Sequence, residues 1–258
     1  MQDYSFIPSL GLSVPAFWQL ANEFGRRERM DGILAYMFTM IREAHRCGRP
    51  LTRHQLTEAG RDIRLFPGVE GWFGRINAFG ASLGVTVEHY IISSGLKEIL
   101  EGCSIGAEFK EIFASEFYYG EDGEAAWPKL AVNYTSKTQF VYRINKGVLD
   151  VSDDKTLNDS MPDDSKRVPF TNMIYLGDGL SDVPCMKMMQ SYGGASIAVY
   201  KEMGQSVKDL LERGRVDYIY PADYREGTGL DRTVKNIIRK MATADALSEE
   251  NARQLQMI

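Results

Sequence analysis

Three places in this sequence set polar side chains where an apolar run gives way to a turn or a helix. The most specific is Gly177-Asp178-Gly179-Leu180-Ser181-Asp182, directly after the apolar run Met173-Ile174-Tyr175-Leu176. A run of that kind stopped by Gly-Asp-Gly predicts a buried parallel strand. It would deliver Asp178 and Asp182 to the carboxyl edge of a sheet, where open α/β folds place their sites. The second place is Ser93, after the β-rich run Val85 to Ile92. The third is Lys137, behind Asn133, Thr135 and Ser136, whose side chains suit a helix start. A cation in a first helical turn faces the positive end of the helix dipole, which points to a role other than helix stability. Together the four groups can hold a phosphate. A hydroxyl and a backbone turn donate to its oxygens, an ammonium neutralises its charge, and carboxylates hold Mg2+, a hard cation that prefers oxygen ligands.

The elements that would position these groups follow from periodicity. Residues 13 to about 63 read as three helices: Ser13 caps Val14, Phe17, Trp18 and Ala21; Asp31 precedes Leu34, Met37, Phe38 and Ile41; Thr52 precedes Leu56, Ala59 and Ile63. From Leu65 the texture changes. Val69, Trp72, Phe73 and Ile76 make a helical stripe, followed by the strand Val85 to Ile92, a helix from Leu96, and a short strand at Ile112-Phe113-Ala114. Aromatics around Gly120-Glu121-Asp122-Gly123 predict a hairpin over Phe117 to Trp127. The helix begun near Lys137 carries Phe140, Val141 and Ile144. Residues 150–167, with six aspartates, read as a solvated loop lacking the glycine and spacing of an EF-hand. A helix through Met189, a strand from Ser196 to Tyr200, a helix to Arg213, a strand from Val216 to Tyr220 and a last helix through Met241 complete the alternation. The expected fold is α/β, a doubly wound, mainly parallel sheet, with residues 1–64 as an N-terminal helical cap and residues 65–258 as the core.

Composition narrows the class. A chain of 258 residues with net charge −5 is large enough for a sizeable core, and lacks the basic excess of a surface that tracks nucleic acid. Cys47, Cys103 and Cys185 are too few and too scattered for a disulfide framework or a CxxC knuckle, which fits a reducing cytoplasm. No apolar run is long enough to cross a bilayer, and the opening Met-Gln-Asp-Tyr-Ser-Phe has no signal-peptide pattern. His45, His54 and His89 have no ligand spacing. Cys185 reads as a small buried residue, and Met186, Met188 and Met189 as core filling.

With these motifs in place, the chain resembles the haloacid dehalogenase-like (HAD) superfamily of phosphohydrolases, in particular the phosphoserine-phosphatase-like branch with a helical cap. Tyr90-Ile91-Ile92-Ser93-Ser94-Gly95 is similar to the family's second motif, Lys137 in Thr135-Ser136-Lys137-Thr138 to the third, and Gly177 to Asp182 to the fourth. Lys146 is the weaker candidate for the third. Leu65-Phe66-Pro67-Gly68-Val69 resembles the segment leading from cap back to core. The resemblance implies that Ser93, Ser94, Gly95 and Lys137 bind the transferring phosphoryl group, Ser93 and Lys137 being the catalytic pair. It implies that Asp178 ligates Mg2+, with Asp182 supporting it directly or through water. The implied reaction is hydrolysis of a small phosphorylated metabolite through an aspartyl-phosphate.

One part of the pattern is missing. The family's first motif, an apolar strand followed by Asp-x-Asp-x-Thr, supplies the nucleophile, and no stretch here matches it. Asp150, Asp153 and Asp154 follow no apolar strand and fall in the wrong order. The expectation is a sequence that begins downstream of that motif, lacks the sheet's central first strand, and is inactive and poorly stable as written. The alternative is a noncatalytic phosphate-binding or scaffold protein. A phospho-acceptor receiver domain is disfavoured by the helical start and by the Ser93 turn.

Overall fold

A computed structural model describes residues 6–257. The opening residues 1–5, on which the signal-peptide reading mostly rests, lie outside the described residues. Helices come first, as the capping signals predict: α1 (Phe6–Ser9), α2 (Val14–Glu28), α3 (Gly32–Arg46) and α4 (Arg53–Gly60). Ser13 accepts from the Ala16 amide, Asp31 from those of Ile33 and Leu34, and Thr52 and Gln55 form a reciprocal capping box, so each of these helix starts has at least one loose N–H satisfied. Helix α5 (Val69–Ala81) follows.

The chain divides into two compact units, Met1–Arg64 with His89–Lys137, and Leu65–Glu88 with Thr138–Ile258. The chain leaves the first unit after Arg64, where the boundary is expected, but returns to it at His89 and leaves it again after Lys137, so His89–Lys137 groups with the N-terminal helices. The reason is packing. Leu96, Ile99, Phe117 and Ala125 are buried in one cluster with Phe17, Tyr36, Met37, Met40 and Leu56. Helix α6 (Lys97–Glu101) also approaches α4 at glycine contacts: a Cβ on Gly102 would lie 1.8 Å from the Thr57 carbonyl oxygen, and one on Gly60 2.1 Å from that of Ile99. Two glycines let the backbones touch, and periodicity gives no sign of it.

The sheet of this unit has the order β1-β2-β3. Strand β1 (Tyr90–Leu96) runs parallel to β2 (Glu111–Tyr119), with Ile91 level with Ile112 and Ser93 with Ala114. Strand β3 (Ala125–Leu130) returns antiparallel to β2 through the expected hairpin, closed where the Gly120 amide donates to the Glu124 carbonyl. The short strand expected at Ile112 and the first arm of that hairpin are one continuous strand, and β1 begins at Tyr90 rather than Val85.

Helix α7 (Lys137–Lys146), which lies in the second unit from Thr138 on, leads to the acidic segment. That segment is tethered rather than simply solvated. Arg143, 1% exposed, donates to the carbonyls of Asp150, Val151 and Asp153 at 2.6, 3.0 and 3.3 Å and to the carboxylate of Asp154 at 2.7 Å. Lys146 Nζ donates to the carbonyls of Leu157 and Asp159, beside the short helix α8 (Asp154–Asn158). Backbone oxygens thus turn toward the cations.

Beyond it, β4 (Ile174–Gly177), β5 (Ala195–Tyr200) and β6 (Tyr218–Pro221) form an all-parallel sheet in that order, joined by α9 (Val183–Ser191) and α10 (Gln205–Glu212). Val183, Met186, Ala198, Leu210 and Val216 fill the space between sheet and helices, with Tyr175 and Ile219 against them. Helix α11 (Gly229–Leu255) packs on β6 and α5. Among the described residues β1 and β4 each pair along one edge only, and no helix is long and apolar enough to cross a membrane.

The glycine contact yields a test with two signs. Gly102→Ala should lower unfolding stability by about 2 kcal/mol or more, since the new methyl would meet the Thr57 carbonyl oxygen at 1.8 Å and force backbone to shift. Gly74→Ala, on α5 with nothing within 4 Å of the new methyl, should instead stabilise by roughly 0.5–1 kcal/mol. Urea midpoints of the two variants measure both.

Candidate functional site

The residues expected to carry chemistry fall in both units: Asp178 and Asp182 in one, Ser93, Ser94, Gly95 and Lys137 in the other.

Strand β4 ends at Gly177, where only glycine fits, because a Cβ there would lie 2.6 Å from the Asp182 side chain. The chain then makes a tight 3-10 turn over Leu180–Asp182 and enters α9, with Pro184 in the first turn. Asp182 is 5% exposed. Its Oδ2 accepts from the amides of Asp178 and Gly179 at 3.2 and 3.3 Å, and its Oδ1 accepts the phenol O–H of Tyr175 at 2.8 Å. Burial, and then the charge of Asp182, hold the Tyr175 phenol far above its usual range, so it remains a proton donor. Asp178 is different. It is exposed, and its carboxylate makes no hydrogen bond or ion pair with another described residue. The two acids divide the work: Asp182 shapes the turn, and the turn presents Asp178.

This bears on magnesium. Mg2+ keeps several waters and takes one or two protein carboxylates, rather than an all-protein cage. Asp178, a carboxylate open to solvent on a fixed turn, fits that role. Asp182 has both oxygens engaged by Tyr175 and the turn amides, which suits support through water better than direct ligation. Among the described residues no group of three or more His, Cys, Asp or Glu side chains could enclose a metal, so the fit is to a largely hydrated ion.

In the other unit the register of β1 against β2 slips between Ser93 and Leu96, the mark of a bulge. The Ser93 hydroxyl accepts the Gly95 amide at 3.0 Å, and the Ser94 carbonyl accepts the Tyr36 phenol at 2.8 Å and the Ser115 hydroxyl at 3.3 Å. The Ser94 hydroxyl is buried without a partner among the described residues. The end of β1 is thus fixed by its own side chains and by α3. Lys137 opens α7 and is 5% exposed. Its amide donates to the Asn133 carbonyl at 3.2 Å, while Asn133 and Ser136 bond reciprocally just ahead of it. Lys146, the other candidate for the same role, is bound to the Leu157 and Asp159 carbonyls.

The remaining residues sit as structural parts. His45 is exposed, 3.7 Å from Glu124; burial pushes the His89 imidazole below its ordinary range; Cys185 and Met186 are fully buried. Sequence reasoning missed Tyr175, whose apolar company disguised it as a strand residue. It also missed Tyr224, beyond β6, whose phenol is raised to about 12 by burial and then by the charge of Asp178.

Comparison with known proteins agrees with this architecture. No protein-family model matches the chain. An uncharacterized protein of Borreliella burgdorferi is 27% identical over 217 residues, which cover 76% of this chain and 74% of that protein. Among solved structures, a HAD family hydrolase from Salmonella enterica serovar Typhi superposes with a TM-score of 0.53 at 16% identity. The match covers 84% of this chain and 60% of that one, so this chain spans less than two thirds of its length. At that identity the likeness shows the fold: the chain has a HAD-like, Rossmann-type α/β fold.

The contrast between the acids is testable without substrate. Asp182→Ala should lower stability by about 3 kcal/mol, since it leaves two amides and a phenol without their acceptor. Tyr175→Phe should cost about 1 kcal/mol, and Asp178→Ala should stay within roughly 0.5 kcal/mol of the parent. Chemical denaturation of the three variants would expose an error if Asp178→Ala were the most damaging.

Proposed function

We propose that this protein is a Mg2+-dependent phosphohydrolase of the HAD type acting on the phosphate monoester of a small metabolite. The observation that carries the reading is the geometry of the Gly177–Asp182 turn, which holds one acid inward as a brace and leaves the other facing solvent at the carboxyl end of a parallel strand. The HAD-like fold and the motif likeness around Ser93 and Lys137 support it.

In this reading each residue has a limited task. Asp178 holds the metal, which when bound supplies positive charge against the oxygens of the phosphoryl group. Asp182 and Tyr175 keep Asp178 in place. Ser93 and the Ser94-Gly95 backbone donate to phosphoryl oxygens, and the Lys137 ammonium offsets their charge. For Ser93 that requires its hydroxyl to rotate from acceptor of the Gly95 amide to donor as well, which a hydroxyl can do because it carries both functions. The protein acts in the cytoplasm on a soluble substrate.

A second reading has its own observation. The sequence contains no Asp-x-Asp-x-Thr after an apolar strand, so the nucleophile the family likeness calls for has no counterpart among these residues. A noncatalytic phosphate-binding or scaffold protein would use the same groups for binding alone. Phosphate release from a panel of phosphomonoesters, together with calorimetric titration of Mg2+ and orthophosphate, separates the two. The first reading expects Mg2+-dependent release that falls at least about 100-fold in Asp178→Ala, as expected when a metal ligand is lost. The second expects binding without release. Release that needs no Mg2+ or survives Asp178→Ala would contradict both.

A further inference from the structure

The loop that follows β6 is built with more rigidity than a connection needs. Strands β4 and β6 both run parallel to β5, with Gly177 level with Ala198 and Ala198 level with Ile219, so the loops leaving β4 and β6 rise from one edge of the sheet. The β6 loop carries Asp223, Tyr224 and Arg225. Its backbone is clamped from two sides: the Tyr224 amide donates to the Pro67 carbonyl at 2.8 Å, and Arg75 reaches the Tyr224 carbonyl. Arg75 is itself paired at 3.1 Å with Asp231, 1% exposed, which also accepts the Gly227 amide at 2.9 Å and Lys235 at 3.0 Å. Gly68 completes the clamp, because a Cβ there would lie 2.4 Å from the Arg225 amide nitrogen.

What the clamp holds is the ring of Tyr224. Trp72 meets it edge-on, centroids 5.2 Å apart at 89°. Its hydroxyl has no hydrogen-bond partner among the described residues, whereas Arg75, Asp231, Asp223 and Arg225 around it are all bonded. Arg225 is taken up by Asp223, so the cation of this loop is already paired. A phenol fixed by backbone and ring, with its O–H uncommitted, is preorganised to donate to something outside the protein.

We propose that Tyr224 is a phosphate-binding residue of the Asp178 site, donating its phenol O–H to a non-bridging oxygen of the phosphoryl group. The assignment rests on the phosphohydrolase reading above and adds a residue that the motif likeness does not supply. A phenol keeps its proton throughout the neutral range, so Tyr224 is a donor there.

The test is calorimetric titration of the full chain with orthophosphate at saturating Mg2+, and with Mg2+ alone, for the parent and Tyr224→Phe. Tyr224→Phe should weaken orthophosphate about tenfold, the loss expected for one hydrogen bond to a charged group. Its affinity for Mg2+ alone and its thermal midpoint should be unchanged. Equal orthophosphate affinity in the two proteins overturns the proposal and leaves the functional reading standing. A loss of Mg2+ affinity equal to the loss of phosphate affinity overturns it in favour of a contact with the hydrated metal. Failure of Tyr224→Phe to fold overturns it too, since the hydroxyl would then have a structural partner. No orthophosphate binding by the parent would bring down the functional reading and this residue with it.

Discussion

The turn that follows β4 depends on one buried carboxylate. Asp182 accepts two amides of the turn and the phenol of Tyr175, and by doing so fixes the course of the chain between strand and helix. A buried carboxylate is costly unless its oxygens are satisfied, and here each oxygen is. The arrangement decides which acid is available: Asp182 is spent on the turn and Asp178 is left to solvent. It also explains Gly177, since the space a side chain would occupy is filled by Asp182 itself.

The other unit uses different means to the same end. The bulge that ends β1 is fixed by Ser93 upon Gly95 and by Tyr36 and Ser115 upon the Ser94 carbonyl. Those bonds depend on α3 lying against the strand, which the shared apolar cluster of Phe17, Met37, Leu96 and Phe117 secures. The N-terminal helices therefore do more than follow one another. They bury Leu96, the last residue of the strand that carries Ser93.

What could be read from the sequence was local. Capping residues Ser13, Asp31 and Thr52 begin helices where expected, the Gly120–Gly123 hairpin closes where expected, and the apolar run before Gly177 is a parallel strand, because each is decided by residues within a few positions of one another. What could not be read depends on distant contacts. The grouping of residues 89–137 with the helices follows from Gly60 and Gly102, whose meaning appears only when α4 and α6 touch. The acidic segment looked solvated because its carboxylates dominate the composition, yet its carbonyls are gathered by Arg143. Tyr224 lies 149 residues beyond Arg75, the side chain that holds its carbonyl. The absent Asp-x-Asp-x-Thr was legible at once, and it is why binding and turnover are separate questions for this chain.

The most direct measurement of the central claim is anomalous diffraction from crystals soaked in Mn2+, a stand-in for Mg2+ that is visible above the protein atoms. The account predicts one peak about 2.1 Å from a carboxylate oxygen of Asp178, the distance typical of such small divalent ions, with Asp182 still bonded to Tyr175 and to the turn amides. A peak on Asp182 with the Tyr175 bond broken, or no peak at either acid, would contradict it.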